Sequence, residues 1–245
     1  YGSVASVHSH SDGHKSSISG PGVGNYITMA KCAADAEKEI GLKHLRQNTF
    51  VHAHGTGTPA NRTTESHILN EIANTFGIKK WPITAIKSYL GHSMAPASGD
   101  QLVASLGTWN KGIIPGIHST DTLADDVYSE HLDILLEDKM EEQNFYRGCF
   151  LNAKGFGGNN ASAFILSPEE TQIKMKGLVV KNKYNQYLRS LGETQKKSSQ
   201  YNRSCLKGDY KVTYKFNENV LNGETDIEIS RKGMKLKGFK NQIKF

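Results

Sequence analysis

Three glycine-punctuated segments hold the residues whose types and spacing could do chemistry. They are Val51-His52-Ala53-His54-Gly55-Thr56-Gly57-Thr58-Pro59, Lys87-Ser88-Tyr89-Leu90-Gly91-His92 and Asn152-Ala153-Lys154-Gly155-Phe156-Gly157-Gly158-Asn159-Asn160. A neutral imidazole can donate a hydrogen bond to an oxygen on which charge develops. A lysine at the end of a buried strand can fix local charge, and glycines let backbone approach a ligand closely. The first segment is not a phosphate loop, because no Gly-Lys-Ser/Thr closes it. Taken singly, each segment has a structural reading. A histidine at a strand end is most often a satisfied packing residue, and a Gly-rich hairpin is most often only a turn.

Histidine spacing raises a second chemistry. His52 and His54 form an H-x-H pair, and His8, His10 and His14 follow an H-x-H-x3-H pattern, which could hold a metal for hydrolysis. The Gly-Thr-Gly-Thr that follows His54 has no metal rationale.

The elements expected to position these segments alternate in type. Helical signals cover Asn25–Gly41, Thr64–Gly77 and Ser98–Trp109, the first two closed by glycine. Strand signals cover Thr49–Ala53, Ile83–Lys87, Ile113–Ile117, Arg147–Ala153 and Ala161–Leu166, the last two forming a hairpin around the third segment. Such alternation predicts an α/β layered domain, with sites where loops leave the strand ends.

Charge divides the chain near Pro168. Residues 1–168 hold 13 Lys and Arg against 16 Asp and Glu, and residues 169–245 hold 17 against 8. The net charge of +6 therefore comes from the second stretch, which reads as a basic accessory tail, residues 169–245, of α+β character. It carries a helical signal at Tyr184–Leu191 and alternation at Asp209–Phe216 (Tyr210, Val212, Tyr214, Phe216) and Thr225–Ser230, with a turn at Asn222-Gly223. No run approaches the roughly 18 apolar residues of a membrane helix. Three scattered cysteines exclude a disulfide framework and a CxxC metal site, and suit a reducing, cytoplasmic setting. The chain begins at Tyr1 rather than Met and reads like mid-domain sequence, as a piece of something longer would.

In this order and spacing, HGTGTP, KSxxGH and GFGG resemble the C-terminal half of β-ketoacyl synthases, the condensing enzymes of fatty-acid and polyketide synthesis. The resemblance covers about Gly2–Ser167, with Ser11-Asp12-Gly13-His14 and the GIIPGI run at Gly112–Ile117 included. It implies a thiolase-like α/β half-domain over residues 1–168, a mixed sheet with helices. It implies decarboxylative condensation of an acyl thioester with a malonyl thioester. By motif position His54 and His92 stabilise the enolate and Lys87 balances charge behind them. Thr56 and Thr58 hydrogen-bond a phosphopantetheine arm. Phe156 gates the GFGG loop and offers an oxyanion N–H, with Gly155, Gly157 and Gly158 shaping that loop, and Glu65 is structural. The chain binds no cofactor or metal of its own; substrates ride on the phosphopantetheine of acyl carrier protein or on CoA. Expected partners are acyl carrier protein, the N-terminal half of the same enzyme and a second copy in a homodimer, with no membrane and nucleic acid disfavoured.

The nucleophilic cysteine of the family lies upstream of everything matched here. Cys32 and Cys149 read as core, and Cys205 falls in the tail, so this chain alone is expected to be inactive. Three positions depart from the family pattern. Arg62 stands where an aspartate is common, Gln101 where a glutamate pairs with the lysine, and Lys154 where an aromatic is common. These departures leave open a non-catalytic partner subunit of the chain-length-factor type. The basic tail could steer an acidic carrier protein or contact the rest of the enzyme.

Overall fold

The computed structural model describes residues 1–13, 22–212, 216–218 and 220–245. They divide into two compact units, Tyr1–Lys181 and Asn182–Phe245. The charge change at Pro168 falls before the helix Pro168–Leu178, which is tied to the first unit. Its N-cap Ser167 Oγ accepts the Glu170 N–H at 3.1 Å, Arg147 pairs with Glu170, and Lys174 pairs with Glu39 at 2.6 Å.

A six-stranded mixed sheet organises the first unit. Its strands in chain order are β1 (Ser3–Ser11), β2 (Thr49–His52), β3 (Trp81–Thr84), β5 (Leu132–Ile134), β7 (Gly148–Gly155) and β8 (Asn159–Leu166); β4 (Ile113–Ile114) and β6 (Lys139–Met140) pair separately. The spatial order is β1-β8-β7-β2-β3-β5. Strands β7, β2, β3 and β5 run parallel, and the β7–β8 hairpin brings β1 in antiparallel. The parallel strands read as fully buried runs because both faces are covered. Val51 and Phe150 face one core, with Met29, Ala33 and Ala36 of α1 (Val23–Gln47) and Ile68 and Leu69 of α2 (Pro59–Phe76). Phe50, Cys149 and Leu151 face the other, with Trp109 of α4 (Ala97–Lys111). Strand period two thus builds a helix–sheet–helix stack, a mixed α/β layered fold.

Several elements depart from the sequence expectation. Gly41 kinks α1 with φ 80° but does not end it, because Leu45 on the next turn is drawn into the core. Gly77 does end α2, in the left-handed conformation, with its N–H on the Asn74 carbonyl. The strand expected over Ile83–Lys87 stops at Thr84, and Lys87 opens a single helical turn, α3 (Lys87–Leu90). The strand expected over Ile113–Ile117 is only two residues long.

In the second unit a 26-residue helix, α6 (Lys181–Leu206), replaces the short one expected, following α5 at Pro168–Leu178. A small sheet of β9 (Ile227–Ser230), β10 (Gly233–Leu236) and β11 (Ile243–Lys244) follows. Strand β9 begins two residues later than expected because Asp226 closes a turn with Asn222, its N–H on the Asn222 carbonyl at 2.9 Å. The alternation at Asp209–Phe216 forms no strand among the described residues, and Tyr214 lies outside them, as does His14.

Candidate active site

Strand β2 delivers His54 just beyond its end, and a carboxylate fixes the chain there. Glu65, buried on α2, accepts the His54 N–H at 2.6 Å and the Gly55 N–H at 2.9 Å. It also accepts Asn61 Nδ2 at 2.9 Å and Asn152 Nδ2 at 2.7 Å. Four donors converge on two oxygens, so a buried charge is satisfied entirely by hydrogen bonds. Gly55 makes this turn possible. Its φ is 56°, and a Cβ there would lie 2.5 Å from the Ala85 Cβ.

His92 follows α3 on the next loop and meets His54 edge-to-face, with ring centroids 5.4 Å apart and planes at 79°. Backbone donors set both tautomers. His54 Nδ1 accepts the Lys154 N–H at 3.3 Å, and His92 Nδ1 accepts the Met94 N–H at 3.0 Å. Met94 itself adopts a left-handed φ of 65°. With Nδ1 accepting, each ring carries its proton on Nε2. Burial, followed by smaller contributions from Lys87, His92 and Lys154 and an opposing one from Glu65, pushes His54 down to about 4, so it is neutral at pH 7.

Lys87 donates to the His54 carbonyl at 2.6 Å. Burial lowers its pKa, while Glu65 and Asp100 oppose the shift. Gln101 does not pair with it. Its Nε2 spans the Ala53 carbonyl at 2.9 Å and the Asn152 carbonyl at 3.0 Å, clamping the end of β2 to the middle of β7. Asp100 is engaged by the Ser93 hydroxyl. The lysine is therefore held by backbone, with Asp100 as a nearby countercharge.

The structure brings the motif residues around adjoining cavities. One of about 470 Å3 is lined by His54, Lys87, His92, Gln101, Lys154 and Gly155. A second, of about 460 Å3, is lined by His54, His92, Thr56, Thr58 and Phe156. The Thr56 and Thr58 hydroxyls lie 3.3 Å apart. Phe156 stands exposed on a 3-10 turn, Phe156–Gly158, in which Gly157 and Gly158 both have φ of 74°. Arg62, where an aspartate was expected, makes a two-pronged ion pair with Asp126 at 2.8 and 2.9 Å.

Other candidates fall outside this site. His52 is fully buried against Phe50 at 5.6 Å between ring centroids, and burial pushes it down to about 3. His8 pairs with Asp35 at 2.7 Å, while His10 lines the first cavity, so the two serve different surroundings. Among the described residues no group of His, Cys, Asp or Glu has the geometry to hold a metal. Cys32 and Cys149 are buried in the two cores, each pushed up to about 12, mainly by that burial.

Two functional contacts escaped the sequence reading. Asp12 Oδ1 accepts the Gly24 N–H of α1 at 2.8 Å and Asn160 Nδ2 at 2.9 Å, and its own N–H donates to the Gly158 carbonyl at 2.8 Å. It ties the GFGG turn to α1. Asn152 exchanges both amide bonds with Asn25, at 2.7 and 3.1 Å, so a buried amide pair backs Glu65. Ser-Asp-Gly before a helix was the only signal for the first, and nothing local announces the second.

The chain is similar to several known proteins. Residues 1–121 match the family model of the beta-ketoacyl synthase C-terminal domain. The β-ketoacyl-[acyl-carrier-protein] synthase FabY of Pseudomonas aeruginosa is 42% identical over 243 residues, 99% of this chain and 38% of that protein. The crystal structure of that noncanonical ketosynthase superposes with a TM-score of 0.85 over 100% of this chain and 38% of its own. The ishigamide ketosynthase/chain length factor gives a TM-score of 0.53 at 25% identity, over 67% of this chain and 37% of its own.

The chain thus carries a ketosynthase domain of thiolase-like fold. More particularly, it matches the C-terminal region of FabY-type ketosynthases, and it spans 38% of the length of that relative. The likeness runs through the basic tail, which the motifs had left unassigned, so that segment is shared with FabY.

Proposed function

We propose that this chain is the C-terminal portion of a β-ketoacyl-[acyl-carrier-protein] synthase of fatty-acid biosynthesis, catalysing decarboxylative Claisen condensation. The nucleophilic cysteine belongs to the N-terminal half. Its thiolate attacks an acyl thioester and expels the carrier thiol. A malonyl thioester enters next, its C–CO2 bond breaks, and the electron pair moves onto the thioester carbonyl oxygen as an enolate. His54 and His92 donate their Nε2–H groups to that oxygen. The enolate carbon attacks the acyl-cysteine carbonyl, and collapse of the tetrahedral adduct returns the thiolate.

The observation that carries this reading is the pair of adjacent imidazoles, each with a backbone amide on Nδ1 that leaves Nε2 to carry the proton and donate. Donors fixed in advance stabilise developing charge without reorganising. Lys87 stiffens the His54 backbone from behind. Thr56, Thr58 and Phe156 line the cavity the phosphopantetheine arm would take from acyl carrier protein or CoA. Three unpaired thiols suit a reducing, cytoplasmic setting, and no described helix is long and apolar enough to cross a membrane. A homodimer completed by the N-terminal halves and visited by acyl carrier protein is the assembly we infer.

In the complete enzyme, His54→Ala should cut CO2 release from a malonyl donor about 100- to 1,000-fold, the scale of one lost oxyanion donor. Near-normal release would defeat the assignment. A wild-type protein that releases no CO2, but is needed by a second ketosynthase, would instead mark a chain-length-factor subunit.

A further inference from the structure

A third cavity, of about 700 Å3, lies along α2 beneath the segment that follows β4, and its walls are largely apolar, with Leu69, Ile83, Leu123 and Val127 among them. It shares three residues with the cavity that holds Thr58 and Phe156: Thr56, Asn61 and His92. Thr56 and His92 already have places in the proposed chemistry. Asn61 does not.

Asn61 is 3% exposed, in the first turn of α2. Its amide cannot be placed the other way round, because Nδ2 faces a carboxylate oxygen of Glu65 at 2.9 Å, and a carboxylate only accepts. Oδ1 is thereby turned away from Glu65, and it has no hydrogen-bond partner. Buried acceptors are nearly always paired, since stripping one of water without replacement is costly. Asn61 lines both cavities, and so do Thr56 and His92. What it lacks is a donor, and a bound ligand can supply one.

Resting on the functional reading above, we propose that Asn61 is a positioning residue for the substrate arm, its Oδ1 accepting an amide N–H of the pantetheine as the thioester approaches His54 and His92. The same Glu65 carboxylate that holds the His54 and Gly55 amides also holds the Asn61 amide. One buried charge thus sets both the imidazole and the arm acceptor, and fixes the distance between them. Thr56 and Thr58 offer hydroxyls that can donate or accept. Asn61 at this junction offers only an acceptor, so it selects an N–H over an ether or ester oxygen.

The test is a cycle on the complete enzyme, using malonyl donors whose pantetheine carries either its normal amides or an ester in place of each amide in turn. For the wild type, one of the two ester replacements should raise KM about 5- to 10-fold, with kcat within twofold, the scale of one neutral hydrogen bond. Asn61→Ala should raise KM similarly for the amide donor and show no further penalty for that ester. Equal ester penalties in wild type and variant, or no penalty in the wild type, would overturn the inference. Should Asn61→Ala fail to fold, Asn61→Ser, whose hydroxyl can still donate to Glu65, takes its place in the cycle and should likewise show no further penalty for that ester. If the wild type neither decarboxylates nor condenses the amide donor, it is the ketosynthase reading that has failed, and the arm assignment falls with it.

Discussion

Glu65→Gln is the sharpest test of how the site is built. The carboxylate receives two N–H donors on each oxygen: His54 and Asn152 on Oε1, Gly55 and Asn61 on Oε2. Glutamine must turn an NH2 toward one of these pairs. Facing His54 and Asn152 is the worse choice, because the Asn152 amide is locked by Asn25 and by the Ser162 hydroxyl at 3.0 Å. Facing Gly55 and Asn61 is cheaper, since Asn61 Oδ1 is unengaged and its amide can flip to accept. Even then the Gly55 N–H loses its acceptor, a cost of about 1–3 kcal/mol, and the His54 and Asn152 bonds lose their charge assistance, roughly another 1 kcal/mol each. The sum is about 3–5 kcal/mol, which in a domain of this size lowers the melting midpoint by roughly 10 °C. The measurement is thermal unfolding of the purified variant, with amide exchange at His54 and Gly55 as the local readout. A midpoint within about 2 °C of the wild type, with those two amides still protected, would refute the claim that this carboxylate organises the turn.

Three further outcomes follow from the same coordinates. The folded protein keeps His54 and His52 neutral down to about 4 and about 3, both chiefly by burial, whereas the unfolded chain takes up those protons near 6.5. Stability should therefore be flat in these groups above pH 7 and fall as pH drops from about 6.5 to about 4; a urea midpoint unchanged over that interval in wild type would contradict it. Of the three cysteines in this chain, only Cys205 should react with a small thiol reagent in the native protein, because Cys32 and Cys149 are buried and held as thiols, each pushed up to about 12; peptide mass spectrometry locates the adducts. Gly24→Ala should destabilise by about 1–3 kcal/mol and loosen the GFGG turn, since its Cβ would lie 2.6 Å from Asn160 Nδ2, 2.8 Å from Asp12 Oδ1 and 2.9 Å from the His10 carbonyl. Chemical denaturation of that variant checks the first effect, and protease sensitivity at Phe156 the second.

The sequence by itself determined the element types, the layered α/β class and the three segments that converge. Apolar runs in the strands and the glycine at Gly77 are local signals, and local signals survive in one dimension. Motif order was enough to nominate His54, His92 and Lys87. It misplaced Lys87 on a strand, because the step from β3 into α3 depends on what packs over it. It was silent on β1, whose residues become a strand by pairing with β8 at the far end of the chain. Tertiary structure alone decided which proton each imidazole keeps, since the amides responsible belong to Met94 and Lys154, the second of them 100 residues from His54. It decided that Gln101 clamps two neighbouring strands while a carbonyl holds Lys87, and that Glu65 serves four amides at once. Side-chain type limits which hydrogen bonds a residue can form, but donors and acceptors far apart in sequence find each other only when packing sets the direction of the backbone groups between them.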